Sequence, residues 1–168
     1  MSTLSRELEN LNNPALGAIA IWRFVAGYES GSETKAGAPF PLLFIILPMI
    51  LQPVILELMK STFRPSGLRL FANKFAEPAT AKNDIVYSIQ KRARDMRELS
   101  MNSLKLAIVS DLVSIDVQSG LVYPISVTPL KRSISKEVDE MLRQAEKLGA
   151  WCSQVTLHEI SVILQMEF

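Results

Sequence analysis

The chain contains one cysteine and one histidine in 168 residues. A single cysteine excludes an intramolecular disulfide framework, and Cys152 with His158 cannot make up a structural zinc site. Among its seven glycines there is no G-x-x-x-x-G-K-[ST] and no G-x-G-x-x-G, so no nucleotide-phosphate cradle is expected. Neither sign of charge dominates: 18 Lys and Arg face 17 Asp and Glu, for a net charge of +1. At 48% hydrophobic content this balance excludes an intrinsically disordered chain. A membrane-spanning run is also missing. The most apolar stretch, Ala38–Leu51, is cut by Pro39, Pro41 and Pro48 and followed by Gln52-Pro53. It falls short of the roughly 20 apolar residues of a span and has no dense Lys/Arg cluster at either flank. The opening residues are polar, so no leader is expected, and the lone thiol suits a reducing cytoplasm. The proline-rich stretch is expected to be buried core.

What is present is apolar content in excess. A mean hydropathy of +0.19 is high for a free monomer of this size, so apolar surface must go into a core or a partner. Residues 1–12 form a polar lead-in. Asn13-Pro14 is a helix-start pair, an N-cap side chain followed by proline at the first helical position. Ala15–Tyr28 then carries one charge, Arg23, and reads as a helix enclosed on most sides, with Gly17 and Gly27 permitting close packing. Glu29–Ala38 reads as a loop. The apolar block predicts a helix entered at Pro39–Pro41 and kinked or broken at Pro48 and Pro53. Val54–Phe63 continues it up to Arg64-Pro65-Ser66-Gly67, and Gly67–Phe75 forms a short amphipathic piece. Glu77–Thr80 is the clearest internal boundary.

The second half changes character. Val86, Ile89, Ala93 and Met96 recur at helical spacing in Asp84–Glu98, and Ser100–Asn102 is a candidate break before a helix over Ser103–Asp111. The period then becomes two: Val113–Val117, a Gln118-Ser119-Gly120 turn, and Leu121–Ile125 predict a β-hairpin, with Pro124 pushing the second strand toward an edge. Ser133 or Ser135 caps an amphipathic helix that runs to Cys152, and Leu157–Phe168 closes the chain as a short helix or a strand. The expected fold is mainly α with a small β-hairpin. It divides into an apolar helical lobe (13–76), a winged-helix-like unit (80–127) and a C-terminal helical segment (133–168), together forming one compact unit.

Chemistry is scarce. His158 sits among apolar residues with no partner constellation and is expected to be an ordinary, partly buried side chain. Cys152 follows Trp151 with no nearby base in view and is expected to be inert packing. No catalytic, cofactor or metal site is expected. Charge is uneven, however. Residues 60–105 carry Lys60, Arg64, Arg69, Lys74, Lys82, Lys91, Arg92, Arg94, Arg97 and Lys105 against four acidic residues. Arg64, Arg69, Lys74, Lys91, Arg94 and Arg97 are the candidate contacts to DNA or to a protein partner. Lys91, Arg92 and Arg94 point different ways around their helix, which favours a solvated or partner-facing surface over DNA readout. Trp22, Phe24, Tyr28, Phe40 and Phe44 are candidates for core or partner interface.

The order of these motifs resembles a known family. Asn13-Pro14-Ala15 leads into Ile21-Trp22-Arg23-Phe24-Val25-Ala26-Gly27-Tyr28. The Pro39–Pro48 apolar block, the Ser119-Gly120-Leu121-Val122 hairpin and Leu148-Gly149-Ala150-Trp151 follow. Across most of residues 13–165 the chain looks like the middle component of three-component ABC systems of the Lamassu type. Gln52 departs from the pattern, which carries His after the apolar block. The resemblance implies a small non-enzymatic subunit working with an SMC/Rad50-like ABC ATPase and an effector, often a nuclease, in bacterial defence against phages and plasmids. It would sit on the ATPase and restrain the effector until foreign double-stranded DNA is engaged. The competing expectations are a stand-alone winged-helix DNA binder, an enzyme built on Cys152 or His158, and a small membrane protein.

Overall fold

The structure, a computed structural model, describes residues 12–76, 82–126 and 134–168. Its axis is α1 (Pro14–Gly31). The Asn13 side chain accepts hydrogen bonds from the amides of Ala15 (3.0 Å) and Leu16 (3.3 Å), and Pro14 occupies the first turn. Leu16, Ala18, Ala20, Ile21, Trp22, Phe24 and Val25 are all buried, so this helix is enclosed as its composition demands. Chain reversal after Gly31 leads to β1 (Ala38–Pro39) and a 3-10 turn over Phe40–Leu42.

The proline-rich block becomes two helices, α2 (Leu43–Ile50) and α3 (Pro53–Lys60), with Pro53 at the start of the second. The two are bent by 100° at the break. Among the described residues no single helix is long and apolar enough to cross a membrane. Leu42, Leu43, Ile45, Ile46, Leu47, Met49, Ile50, Ile55 and Met59 are all core residues instead. Gln52, between the helices, accepts a hydrogen bond from Ser88 Oγ at 3.0 Å. A 3-10 turn at Arg64–Ser66 and α4 (Gly67–Asn73) complete this half.

The second half holds α5 (Lys82–Asp95) and α6 (Arg97–Val109). The break lies at Met96, not at Ser100–Asn102 as the sequence suggests. Ser100 and Ser103 are buried inside α6 because that side faces α1, where Gly17 approaches so closely that a Cβ would fall 2.0 Å from Ser103 Oγ. Small polar side chains here serve close helix packing rather than helix termination.

The hairpin is β2 (Val113–Asp116) with β3 (Leu121–Pro124), and Gly120 supplies the left-handed backbone (φ 69°) its turn requires. The sheet order is β1-β3-β2, antiparallel throughout, so β3 is the central strand and not an edge. Pro124 is tolerated there for a geometric reason. The Ile125 amide donates to Leu112 on the β2 side, so by alternation residue 124's nitrogen faces β1, and β1 covers only Leu121 and Val122.

Last come α7 (Lys136–Ser153), capped by Ser135 through the Val138 amide, and α8 (Leu157–Leu164), opened by a Thr156/Glu159 capping box. The final apolar piece is therefore a helix. α1 packs along α7, and buried residues from all three stretches join one hydrophobic cluster. The interdomain boundaries drawn at 76–80 and 127–133, the cap at Ser133 and the polar lead-in lie wholly or largely outside the described residues.

Candidate functional site

Two hollows bordered by exposed or half-buried apolar side chains lie on the described surface. The larger is a groove of about 830 Å³ walled by the turn after β1, the start of α2, the α5–α6 break and the chain beyond α8. Phe40 and Phe44 form one wall. Four residues apart across the 3-10/α junction, their half-buried rings meet edge to face at 5.4 Å and 79°. Arg94, in the last turn of α5, and Arg97, opening α6, also line the groove, on either side of the Met96 break. Met101 and Met166 add soft, adaptable apolar surface. Gln165 turns left-handed after α8 (φ 51°, ψ 43°), and its carbonyl accepts from Gln90 Nε2, fixing the segment that closes the groove.

The smaller surface is a hollow of about 420 Å³ between α3 and α4, bordered by Phe63 and Leu70. Phe63 is 81% exposed and Leu70 55%, the one directly after the α3 break and the other on the outer face of α4. Lys74 Nζ donates to the Ser61 carbonyl (2.7 Å) and to Ser61 Oγ (3.0 Å) at its edge. Beneath it, Lys147 Nζ donates to the Met59 (2.6 Å) and Thr62 (2.9 Å) carbonyls and lies 5.2 Å from the Trp151 ring centre. Desolvation holds the pKa of Lys147 below the ordinary lysine value, opposed by the Glu140 charge.

The structure splits the sequence-derived candidates. Arg94, Arg97, Phe40 and Phe44 come together at the groove. Arg64 and Lys74 lie by the second surface, where Arg64 faces Glu146 at 3.8 Å and its carbonyl accepts from Trp151 Nε1 at 2.8 Å. Arg69 pairs with Glu159, and Lys91 with Asp95 at 2.7 Å. The six cations do not line up as one stripe. Trp22 and Phe24 are core, with Trp22 Nε1 donating to the Ser126 carbonyl, and Tyr28 is half-buried against the same core.

Sequence reasoning missed Phe63, Leu70, Met101 and Met166. An aromatic placed just outside a helix, before Arg64-Pro65, was the one available sign for Phe63. Nothing in the local pattern pointed to Met166.

Of the two reactive side chains, Cys152 is fully buried, and burial pushes its thiol pKa far above the ordinary range. His158 is exposed, not partly buried, because the turn that starts α8 directs Ile160 inward instead. Among the described residues no group of three or more His, Cys, Asp or Glu side chains is gathered as a metal site would need.

The family model for the ABC-three component (ABC-3C) system Middle Component 3 matches residues 1–168, the whole length of the chain. The chain belongs to this family. No curated protein and no solved structure matches it. As a middle component of an ABC-3C system, the protein works in company with other components, and this gives the two hollows a context.

Proposed function

We propose that this middle component is a non-catalytic adaptor that links an SMC-like ABC ATPase to an effector such as a nuclease. In this reading it restrains the effector until foreign DNA is engaged, in a defence system of the Lamassu type. The observation that carries the adaptor role is the pair of exposed apolar surfaces, the Phe40/Phe44 groove and the Phe63/Leu70 hollow, which share no lining residue. A bridging subunit needs two separate faces, and hollows that present exposed apolar side chains suit protein partners. Co-expression with the two neighbouring components tests the proposal. The expected outcome is one complex containing all three that survives nuclease treatment. A middle component that purifies alone and binds neither neighbour would end this reading.

A second reading has one observation in its favour. The sequence places a winged-helix-like unit at 80–127; the sheet order β1-β3-β2 joins a strand from the first half to the hairpin, so such a unit would instead have to draw α1, β1 and α2 together with α6 and the hairpin, with α3–α5 as an insertion. DNA binding through it would place α6 in a groove of the duplex. Near its end, however, α6 exposes Leu106, Ile108 and Val109, with Lys105 the single cation beside them. Phosphate contact demands the reverse composition. Salt-dependent duplex binding by the isolated chain would revive this reading.

A further inference from the structure

We infer that the groove between Phe40/Phe44 and Arg94/Arg97 receives an acidic amphipathic helix from another component of the system. This deepens the adaptor reading and rests on it. Three observations on the groove itself define the occupant.

The first is charge. Arg94 and Arg97 are exposed, line the groove and have no ion pair or hydrogen bond within the described structure. Arg23, Arg69, Lys91 and Arg143, by contrast, each hold a carboxylate within 3 Å. Two unengaged guanidinium groups beside an apolar trough call for carboxylates on the ligand, ideally paired bidentately. Glu167, on the chain beyond α8, also lines the groove, so the ligand's carboxylates are best placed against the α5–α6 break rather than the chain end.

The second is the trough. Phe40, Phe44, Met101 and Met166 offer rings and thioethers with no free polar group among them. Of the two glutamines in the lining, Gln90 donates its Nε2 to the Gln165 carbonyl. The lining holds two cations, Arg94 and Arg97, together with Glu167 and seven apolar side chains, a poor match for a nucleic acid backbone, which needs a track of donors. Leucine- or phenylalanine-type side chains fit, and methionines let the walls adapt to them.

The third is the backbone. Helices and turns form the walls, and no strand edge of the β1-β3-β2 sheet lines the groove. Strand addition is therefore unavailable, and the apolar trough beside two cations fits a helix laid in a groove, with apolar anchors at i, i+3 or i+4 and i+7 and carboxylates along one flank.

The test uses the assembled complex. Met101 is replaced by the photo-crosslinking residue p-benzoylphenylalanine, the chain is co-expressed with its neighbouring components, and the crosslinked peptide is identified by mass spectrometry. The expected product joins residue 101 to an amphipathic, acidic segment of another component. Arg94→Glu/Arg97→Glu should reduce its yield by about ten-fold or more, while Lys136→Glu, exposed at the start of α7 and not in the groove lining, leaves it intact. Reversing the partner's carboxylates to lysine should restore the crosslink to the doubly substituted chain. A crosslink to DNA, to residues 2–11 of the same chain or to a second copy would overturn the assignment, as would no crosslink in an assembled complex. If the wild-type chain fails to co-purify with either neighbour, the adaptor reading falls as well; if it co-purifies and only the crosslink is missing, the groove assignment alone falls.

Discussion

Gly149 lies so close to Phe24 that a Cβ on it would fall 2.0 Å from the Phe24 carbonyl oxygen and 2.9 Å from the Tyr28 nitrogen. The contact is reciprocal: a Cβ at Gly27 would fall 2.1 Å from the Glu146 carbonyl oxygen. α1 and α7 thus touch backbone to backbone at two adjoining points, with no flexible side chain able to yield. Gly149→Ala and Gly27→Ala should each cost about 3 kcal/mol or more, the upper end of overpacking effects, since helices and not rotamers would have to move. Urea unfolding measures this; a loss below about 1 kcal/mol would show that the helix pair can separate without penalty.

Trp151 should be sensitive for a different reason. Its ring stacks on Phe71 at 5.2 Å and 28°, its Nε1 donates to the Arg64 carbonyl, and Lys147 rests above it. Trp151→Phe keeps a stacking ring but leaves that carbonyl without its donor, an expected loss of about 1–3 kcal/mol. Comparison of thermal midpoints for Trp151→Phe and Trp151→Ala separates the two contributions, and equal midpoints would deny the ring any role of its own.

The pH behaviour of α8 follows from Glu159. The Thr156 amide, and then Arg69, hold its carboxyl below the ordinary value of 4.5. A carboxylate with a depressed folded-state pKa stabilises the fold above its unfolded value, and that stability disappears as pH falls through the folded one. Glu159→Gln should therefore lower the thermal midpoint at neutral pH, and the gap to wild type should close progressively below about pH 4.5. A gap that stays constant down to pH 2 would mean that the capping box does not depend on the charge.

Thiol chemistry gives a simple check on the core. Cys152 is wholly buried and its thiol is held protonated. Native protein should resist alkylating and disulfide-exchange reagents and react only once unfolded. Fast labelling under native conditions would show that α7 opens at that point.

Phe63 supplies the complementary case. At 81% exposure it gives the isolated chain little stability, so Phe63→Asp should leave the unfolding free energy within about 0.5 kcal/mol of wild type. On the adaptor reading, the same substitution should weaken capture of one neighbouring component. Undiminished capture of both would remove the second surface from the interface.

Much of the fold was legible from local chemistry. Asn13-Pro14 announced its helix, and Ser133 or Ser135 the later one, with Ser135 the cap in the structure, because caps are short-range hydrogen bonds. The Val113–Ile125 stretch showed a period of two and a Gly120 turn. The missed features were those that another part of the chain decides. Ser100–Asn102 looks like a helix break until the buried side of α6, where Gly17 closes on Ser103, is seen. Pro124 looks like an edge residue until a two-residue strand from the first half joins the hairpin, and two residues have no period to detect. The groove was half legible. Phe40, Phe44, Arg94 and Arg97 were each singled out, yet what joins them is the Met96 break and the returning chain end, neither of which a local pattern encodes.

β1 has one more consequence. Immediately after it, the Phe40 amide donates to the Gly120 carbonyl at 2.9 Å, so the residue whose ring walls the groove is also bonded to the turn of the hairpin. A ligand that merely rotates the Phe40 ring leaves the hairpin alone. One that shifts the Phe40 backbone must break that bond or drag the turn along, so the groove and the hairpin tip are geared together as parts of a single lever.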